Sequence, residues 1–386
     1  MQKKKILIIS LKVKNKIANT NHLYAGNDYL VAQLLRKKFH TTIYEYSLLN
    51  CFEDLNKAVI KISKEVKPDI ILFFDLESKP FLTLKSIKYL SNNFYLVNMC
   101  MDADLFVSNN NFYNKYMDYI LTNSIYNFKP LIKKKSQHFD VGTFKSRKRK
   151  VKKKYDVVFL GTINKSNRKE YISFLKQKKI KVYDFGPGTS HGVVSPNEYY
   201  NIINRAKICL RFSSRDFKKD LPILRQDPLS LDRKFQHVGF LDYLSCGAFL
   251  LVEKMETLNV FTKNNCFKFF KNKEDLFVKI NFFLKNNAKR KKISQNSYSV
   301  FKDYFQNKML INLYNNLSNT RKIKNNSSFN FKDYYLFRYN QNNFLISTMK
   351  SKNLKSKIKD IFFILKFPYF KYFFLMKLAI KKLFKI

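Results

Sequence analysis

Segment 239–253, Gly239-Phe-Leu-Asp-Tyr-Leu-Ser-Cys-Gly-Ala-Phe-Leu-Leu-Val-Glu253, places a carboxylate where a ligand could meet it. It reads as a short helix stopped by Gly247 and followed at once by an apolar strand. Asp242 sits on that helix, and in open α/β sheets ligands settle beside strand ends, where loops and helix ends converge. A carboxylate there can accept hydrogen bonds from the two hydroxyls of a ribose. The plainer reading is a helix C-cap with an exposed acid. Gly161 and Thr162 close another apolar strand, where a missing Cβ lets backbone amides approach a phosphate. Gly186-Pro-Gly188 is no dinucleotide fingerprint, because His191 stands where a further glycine would be required, and it reads as a loop near a base or sugar.

Around these residues the chain alternates strand and helix in two successive blocks. Apolar runs at 6–11, 42–46, 69–74, 94–99 and 118–122 read as strands, with helical spacing at 28–39, 52–66 and 81–90. The charged run 145–154 interrupts the pattern and reads as an exposed linker. Strands then recur at 155–161, 180–185, 208–212, 248–252 and 266–270, with helices at 166–177, 274–284 and 291–317. Ser195-Pro-Asn-Glu198 has the capping-box form that opens one more helix. This is the pattern of doubly wound α/β units. The expected organisation is a first domain at 1–145, a basic linker at 146–154 and a second domain at 155–317, followed by a connection and basic amphipathic tail at 318–386.

At 386 residues, 45% of them apolar, the chain can bury two cores. Its five cysteines form no C-x-x-C pair, so they read as buried thiols and not as a zinc site or disulfide framework. The net charge of +46 invites a nucleic-acid reading. The excess is mostly lysine and travels with Asn, Ile, Phe and Tyr, a bias that AT-rich codons alone produce. The apolar run near the N-terminus is too short for a signal peptide's core, and a cytoplasmic location is expected. Between Lys350 and Lys385 the tail holds eleven lysines against one acid, Asp360, interleaved with Phe, Tyr, Ile and Leu. Such a segment can lie in the plane of an anionic membrane or pack on its own domain.

The block from Asp156 to Asn296 resembles the donor-binding half of the group-1 glycosyltransferases, closest to the CgeB-like spore-maturation subgroup. The matching stretches are Val157-Val-Phe-Leu-Gly-Thr162, Gly192-Val-Val-Ser-Pro-Asn-Glu-Tyr199, Ala206-Lys-Ile-Cys-Leu-Arg-Phe-Ser213, Phe240-Leu-Asp-Tyr-Leu-Ser-Cys-Gly-Ala-Phe-Leu-Leu251 and Asn272-Lys-Glu-Asp-Leu276. In the first half only the layout and Val97-Asn-Met-Cys-Met-Asp-Ala-Asp104 are similar.

The resemblance implies two facing Rossmann-like domains (the GT-B architecture, an α/β fold) and transfer of a sugar from a nucleotide-diphosphate donor, with no other cofactor and no metal. Asp242 stands where the family usually has a ribose-binding Glu, and Gly239 stands where the subgroup usually has Arg. Arg211, Arg215 and Arg233 are then the candidate diphosphate cations, since a guanidinium fork matches its oxygens. Gly161, Thr162 and Gly247 complete the donor-side set. In the first domain His22, Tyr24, Gly26 and Asn27 lie in the loop after the first strand, which faces the cleft in this architecture. Asp102 is the candidate base, with His22 beside it, and Asp104 an acceptor contact. Asp102-Ala-Asp104 has the D-x-D form that carries a metal in single-domain glycosyltransferases, but the two-domain class requires none. The implied partners are a nucleotide sugar and a glycan, lipid-linked or protein acceptor, and the tail's composition adds an anionic membrane surface met from the cytoplasmic side. Two other readings stay open: a family member that binds nucleotide sugars or glycans without turnover, and a basic nucleic-acid-binding protein.

Overall fold

The computed structural model describes residues 3–11, 27–74, 76, 78–100, 106–123, 136–139, 145–165, 167–213, 239–255, 257–320 and 331–365. Two parallel sheets organise them. The first comprises β1 (Lys5–Leu11), β2 (His40–Tyr46), β3 (Ile70–Phe74), β4 (Tyr95–Cys100), β5 (Tyr119–Thr122) and β6 (Ser136–His138) in the order β2-β1-β3-β4-β5-β6. Ile6 lies in register with Thr41 on one side and Ile70 on the other. The continuous apolar runs of β1 and β3 follow from burial on both faces, with Leu7, Ile8, Ile71 and Leu72 wholly enclosed. Helices α1 (Asn27–Leu35), α2 (Phe52–Val66), α3 (Leu84–Asn93) and α4 (Val107–Tyr113) belong to this half. The start of α3 is fixed by Thr83, whose Oγ1 accepts the Ser86 N–H at 3.2 Å.

The second sheet holds β7 (Tyr155–Leu160), β8 (Val182–Phe185), β9 (Ala206–Arg211), β10 (Leu250–Glu253) and β11 (Lys268–Phe270) in the order β11-β10-β9-β7-β8. Around it lie α5 (Arg168–Gln177), α6 (Pro196–Arg205), α7 (Phe240–Ser245), α8 (Asn259–Lys263), α9 (Lys273–Lys285) and α10 (Asn287–Val300). The cap read at Ser195 is present, its Oγ accepting the Glu198 N–H at 3.2 Å. All five cysteines are buried free thiols.

The stretch expected as one helix at 291–317 is three pieces: α10, a π-helical segment (Phe301–Met309) and α11 (Leu310–Ser318). The last two reach back to the first sheet. Gln137 Nε2 donates to the Met309 carbonyl at 3.0 Å, Tyr314 to the Leu34 carbonyl at 2.9 Å, and Lys4 Nζ to Thr320 Oγ1 at 2.6 Å.

The basic run is exposed over most of its length, as read, but its backbone is also tied to the second domain. Arg147 N–H donates to Ser245 O at 3.0 Å, and Asn204 holds both Arg147 O and Arg149 N–H, at 2.9 and 2.8 Å. Most of its side chains stay exposed, while the buried Asn204 anchors the chain and its carbonyl accepts from Lys153 Nζ at 2.8 Å.

The region after 318 is likewise more than a poorly packed connection. Helix α12 (Phe331–Thr348) packs on α4, where Phe337 stacks on Phe112 with centroids 3.8 Å apart and planes 11° from parallel. Helix α13 (Leu354–Leu365) follows against α2, with Ile364 in the first domain's core. Residues 331–365 therefore return to the first domain. Residues 366–386 of the tail lie outside the described residues. Among the described residues no helix is long and apolar enough to cross a membrane.

Candidate functional site

Strand order reverses between β7 and β9, and their C-terminal ends open the crevice that such sheets use for ligands. Leu160, Gly161 and Thr162 come from the first strand's end, and Arg211 from the second's. Between them stands Tyr243 of α7. Its ring lies 5.7 Å from the Arg211 guanidinium carbon and its hydroxyl donates to the Leu160 carbonyl at 3.4 Å. Burial pushes that phenol up to about 12, with Arg211 pulling in the opposite direction. Tyr243 therefore stays a neutral hydrogen-bond donor at physiological pH.

Asp242 is 1% exposed, which excludes the reading of a solvent-facing acid. The Tyr200 hydroxyl of α6 donates to its Oδ1 at 3.0 Å. Arg147 from the basic run lies 4.8 Å above the Tyr200 ring. A buried carboxyl is costly without a partner, and the Tyr200 hydroxyl supplies one to Oδ1. Gly239 caps the start of α7 with φ +93°, a conformation that strains any residue with a Cβ. Gly247 ends the same helix at φ +60°, as read from the sequence.

Gly161 has a different role from the one expected of it. Its N–H donates to the Phe185 carbonyl at 2.8 Å and is spent inside the fold. The Thr162 carbonyl accepts from Arg168 at 3.0 Å, which ties the loop to the start of α5. Gly186 approaches so closely that an added Cβ would sit 2.4 Å from the Gly161 carbonyl oxygen. Beneath this contact Asp184 receives the Ser190 N–H at 3.2 Å and Lys176 Nζ at 3.2 Å. Burial alone would push its carboxyl up, but the Ser190 amide and the Lys176 ammonium outweigh burial and hold it below the ordinary value. His191 is fastened to the same loop, its N–H donating to the Asp184 carbonyl at 3.2 Å.

Sequence reasoning passed over Tyr200, Tyr243 and a second buried acid, Glu253. That carboxylate ends β10 at 0% exposure and takes the Ser213 N–H, just past β9, at 3.0 Å. Its signal was in plain view as an acid terminating an apolar strand. The structure thus brings Gly161, Thr162 and Arg211 to the C-terminal ends of β7 and β9, with Tyr243, next to Asp242, between them, while Gly247 lies at the far end of α7 against Lys148 and Tyr298. Arg215 and Arg233 lie outside the described residues, as do His22, Tyr24, Gly26, Asp102 and Asp104. Asn27 opens α1, with only its backbone described. Among the described residues no three His, Cys, Asp or Glu side chains converge on a metal position.

Residues 164–311 match the family model described as glycosyl transferase-like, a span that includes Arg211 and Asp242. No curated protein matches the sequence. Among solved structures the chain is similar to Anabaena HepE in complex with UDP, at 12% identity and TM-score 0.53, covering 82% of this chain and 100% of that one. It is similar to sucrose-phosphate synthase from Thermosynechococcus elongatus, at 11% identity and TM-score 0.54, covering 82% and 98%. It is also similar to WaaG, a glycosyltransferase of lipopolysaccharide biosynthesis, at 9% identity and TM-score 0.53, covering 82% and 100%. The fold is that of the GT-B glycosyltransferases, and the second domain is glycosyl transferase-like in sequence over 164–311.

Proposed function

We propose that this protein is a glycosyltransferase that takes a sugar from a nucleotide-diphosphate donor held at the C-terminal edge of the second sheet. The observation that carries the reading is the buried Asp242, oriented by Tyr200 beside the Arg211–Tyr243 pair at the strand-order reversal. It is supported by the family match over the same segment and by HepE, which has been seen with UDP-glucose.

In this reading Asp242 clasps the ribose hydroxyls and Arg211, with Arg215 and Arg233, meets the diphosphate. Breaking the sugar–phosphate bond leaves negative charge on the departing diphosphate. Fixed cations stabilise it without solvent reorganisation, and a closed groove limits hydrolysis of the donor. Asp102 serves as base toward the acceptor hydroxyl, with His22, Tyr24, Gly26, Asn27 and Asp104 on the acceptor side. The acceptor is a cell-surface or lipid-linked glycan met from the cytoplasmic side, and the subgroup is the CgeB-like one. A second reading, donor binding without turnover, is favoured by one observation: Asp242 is one methylene shorter than the usual Glu.

A thermal-shift panel of UDP, GDP, ADP and their sugars, repeated on Asp242→Ala, tests the site. Stabilisation by one diphosphate family, lost in the variant, is expected. Slow release of free sugar from that donor separates turnover from binding. A panel in which no nucleotide raises the melting temperature sinks both readings.

A further inference from the structure

Helix α13 carries Leu354, Ile358 and Phe362 at four-residue spacing, 67%, 45% and 61% exposed. The helix's single acid, Asp360, faces the other way. It is 1% exposed and pairs with the wholly buried Lys352, while its Oδ1 accepts the Phe52 N–H at the start of α2 at 3.0 Å. Lys359 is partly satisfied by Asp54 of α2 at 3.4 Å, whereas Lys355 stands exposed and Lys357 half-exposed. With its carboxylate turned inward, α13 presents chiefly apolar and cationic groups outward, and the nearby Asp54 of α2 is paired with Lys359.

We propose that this face is a docking surface for an anionic lipid bilayer. The apolar stripe gains nothing from a nucleic acid's phosphates, and a second copy of so basic a face would repel the first. A bilayer bearing anionic headgroups answers both features, burying the stripe at the acyl boundary while the ammonium groups stay among the phosphates. The buried Lys352–Asp360 pair fastens the helix to α2, so the lipid contact belongs rigidly to the first domain. Resting on the glycosyl-transfer reading, this points to an acceptor carried by the membrane and offered to the first domain from the bilayer.

The test is vesicle flotation of the full chain, using phosphatidylcholine alone and phosphatidylcholine mixed with phosphatidylglycerol. Binding only to the anionic vesicles, weakened by salt, is expected. Leu354→Ser with Ile358→Ser and Phe362→Ser reduces partitioning about tenfold or more. Lys355→Gln with Lys357→Gln reduces it about tenfold. Val278→Ser with Phe282→Ser, removing exposed apolar groups from α9 of the other domain, leaves it unchanged. Equal binding to neutral vesicles, or full binding by the stripe variant, overturns the proposal. So does a halving of solution mass in that variant, which would place a second copy on the stripe. Nucleotide thermal shifts run on the same proteins keep the two readings apart. Their absence in the parent sinks glycosyl transfer and leaves the lipid result standing.

Discussion

Asp360 and Phe52 are 308 positions apart in sequence, yet the acid's carboxylate takes the backbone N–H of Phe52 at 3.0 Å. It thereby caps α2, whose preceding residue Cys51 makes no side-chain cap of its own. The same carboxylate neutralises Lys352, whose ammonium also lies 5.2 Å from the Phe52 ring. Removing one partner of a buried pair leaves the other charge uncompensated. Asp360→Asn should therefore lower unfolding free energy by about 3 kcal/mol in urea titrations. A loss under 1 kcal/mol would mean the pair contributes nothing.

The contact between Gly186 and Gly161 makes a sharp comparison with a nearby glycine. Gly186→Ala forces a Cβ to within 2.4 Å of a backbone oxygen at φ +128° and should cost about 3 kcal/mol or more. Gly192→Ala, at φ +66° with nothing within 4 Å, should cost only about 1 kcal/mol. Melting temperatures of the two variants decide it, and equal shifts refute the close-packing account.

Tyr200→Phe removes the hydroxyl that orients Asp242 but leaves the ring beneath Arg147. One hydrogen bond to a buried carboxylate amounts to about 2 kcal/mol, so the free protein's melting temperature should fall by a few degrees, and nucleotide affinity should fall roughly tenfold as Asp242 loses its orientation. Calorimetric titration with the diphosphate selected by the panel reads this directly. Unchanged affinity would show that Asp242 needs no orienting partner.

His138 ends β6 fully buried, and burial pushes its pKa down to about 4, against a small opposing effect of the Asn123 backbone. The folded protein thus keeps this ring neutral while the unfolded chain protonates it below about 6.5. Stability contributed by the neutral ring is present above that pH and is lost as pH falls through the window down to about 4, a difference of roughly 3 kcal/mol. His138→Phe should flatten stability across that window in denaturant titrations. An unchanged acid limb would place the titration elsewhere.

Much of the fold was legible because its strands are continuous apolar runs and its turns carry glycine. Asp242 was legible for the same reason, standing between an apolar helix face and a glycine stop. Tyr200 was not, since an aromatic at helical spacing reads as core until its hydroxyl is seen to face an acid. Helix α12 was hidden by its own chemistry. Its enclosed positions include Arg338, Asn340, Gln341, Asn342 and Asn343, which mimic a polar connection. Gln341 is held by the carbonyls of Pro80 and Leu82 at 2.9 and 3.1 Å, partners that lie far away in sequence. Strand β6 escaped notice because three residues, Ser136–His138, carry no readable period.

The return of α12 and α13 to the first sheet bears on how the polypeptide is made. A ribosome releases β1 to β6 well before Phe337, Phe344, Leu345 and Ile364, which pack into the same core. The half synthesised first must therefore wait, partly uncovered, while the half synthesised second completes itself. A premature stop at position 330 would consequently injure the opposite end of the molecule, leaving the nascent amino-terminal half sticky and in need of chaperones.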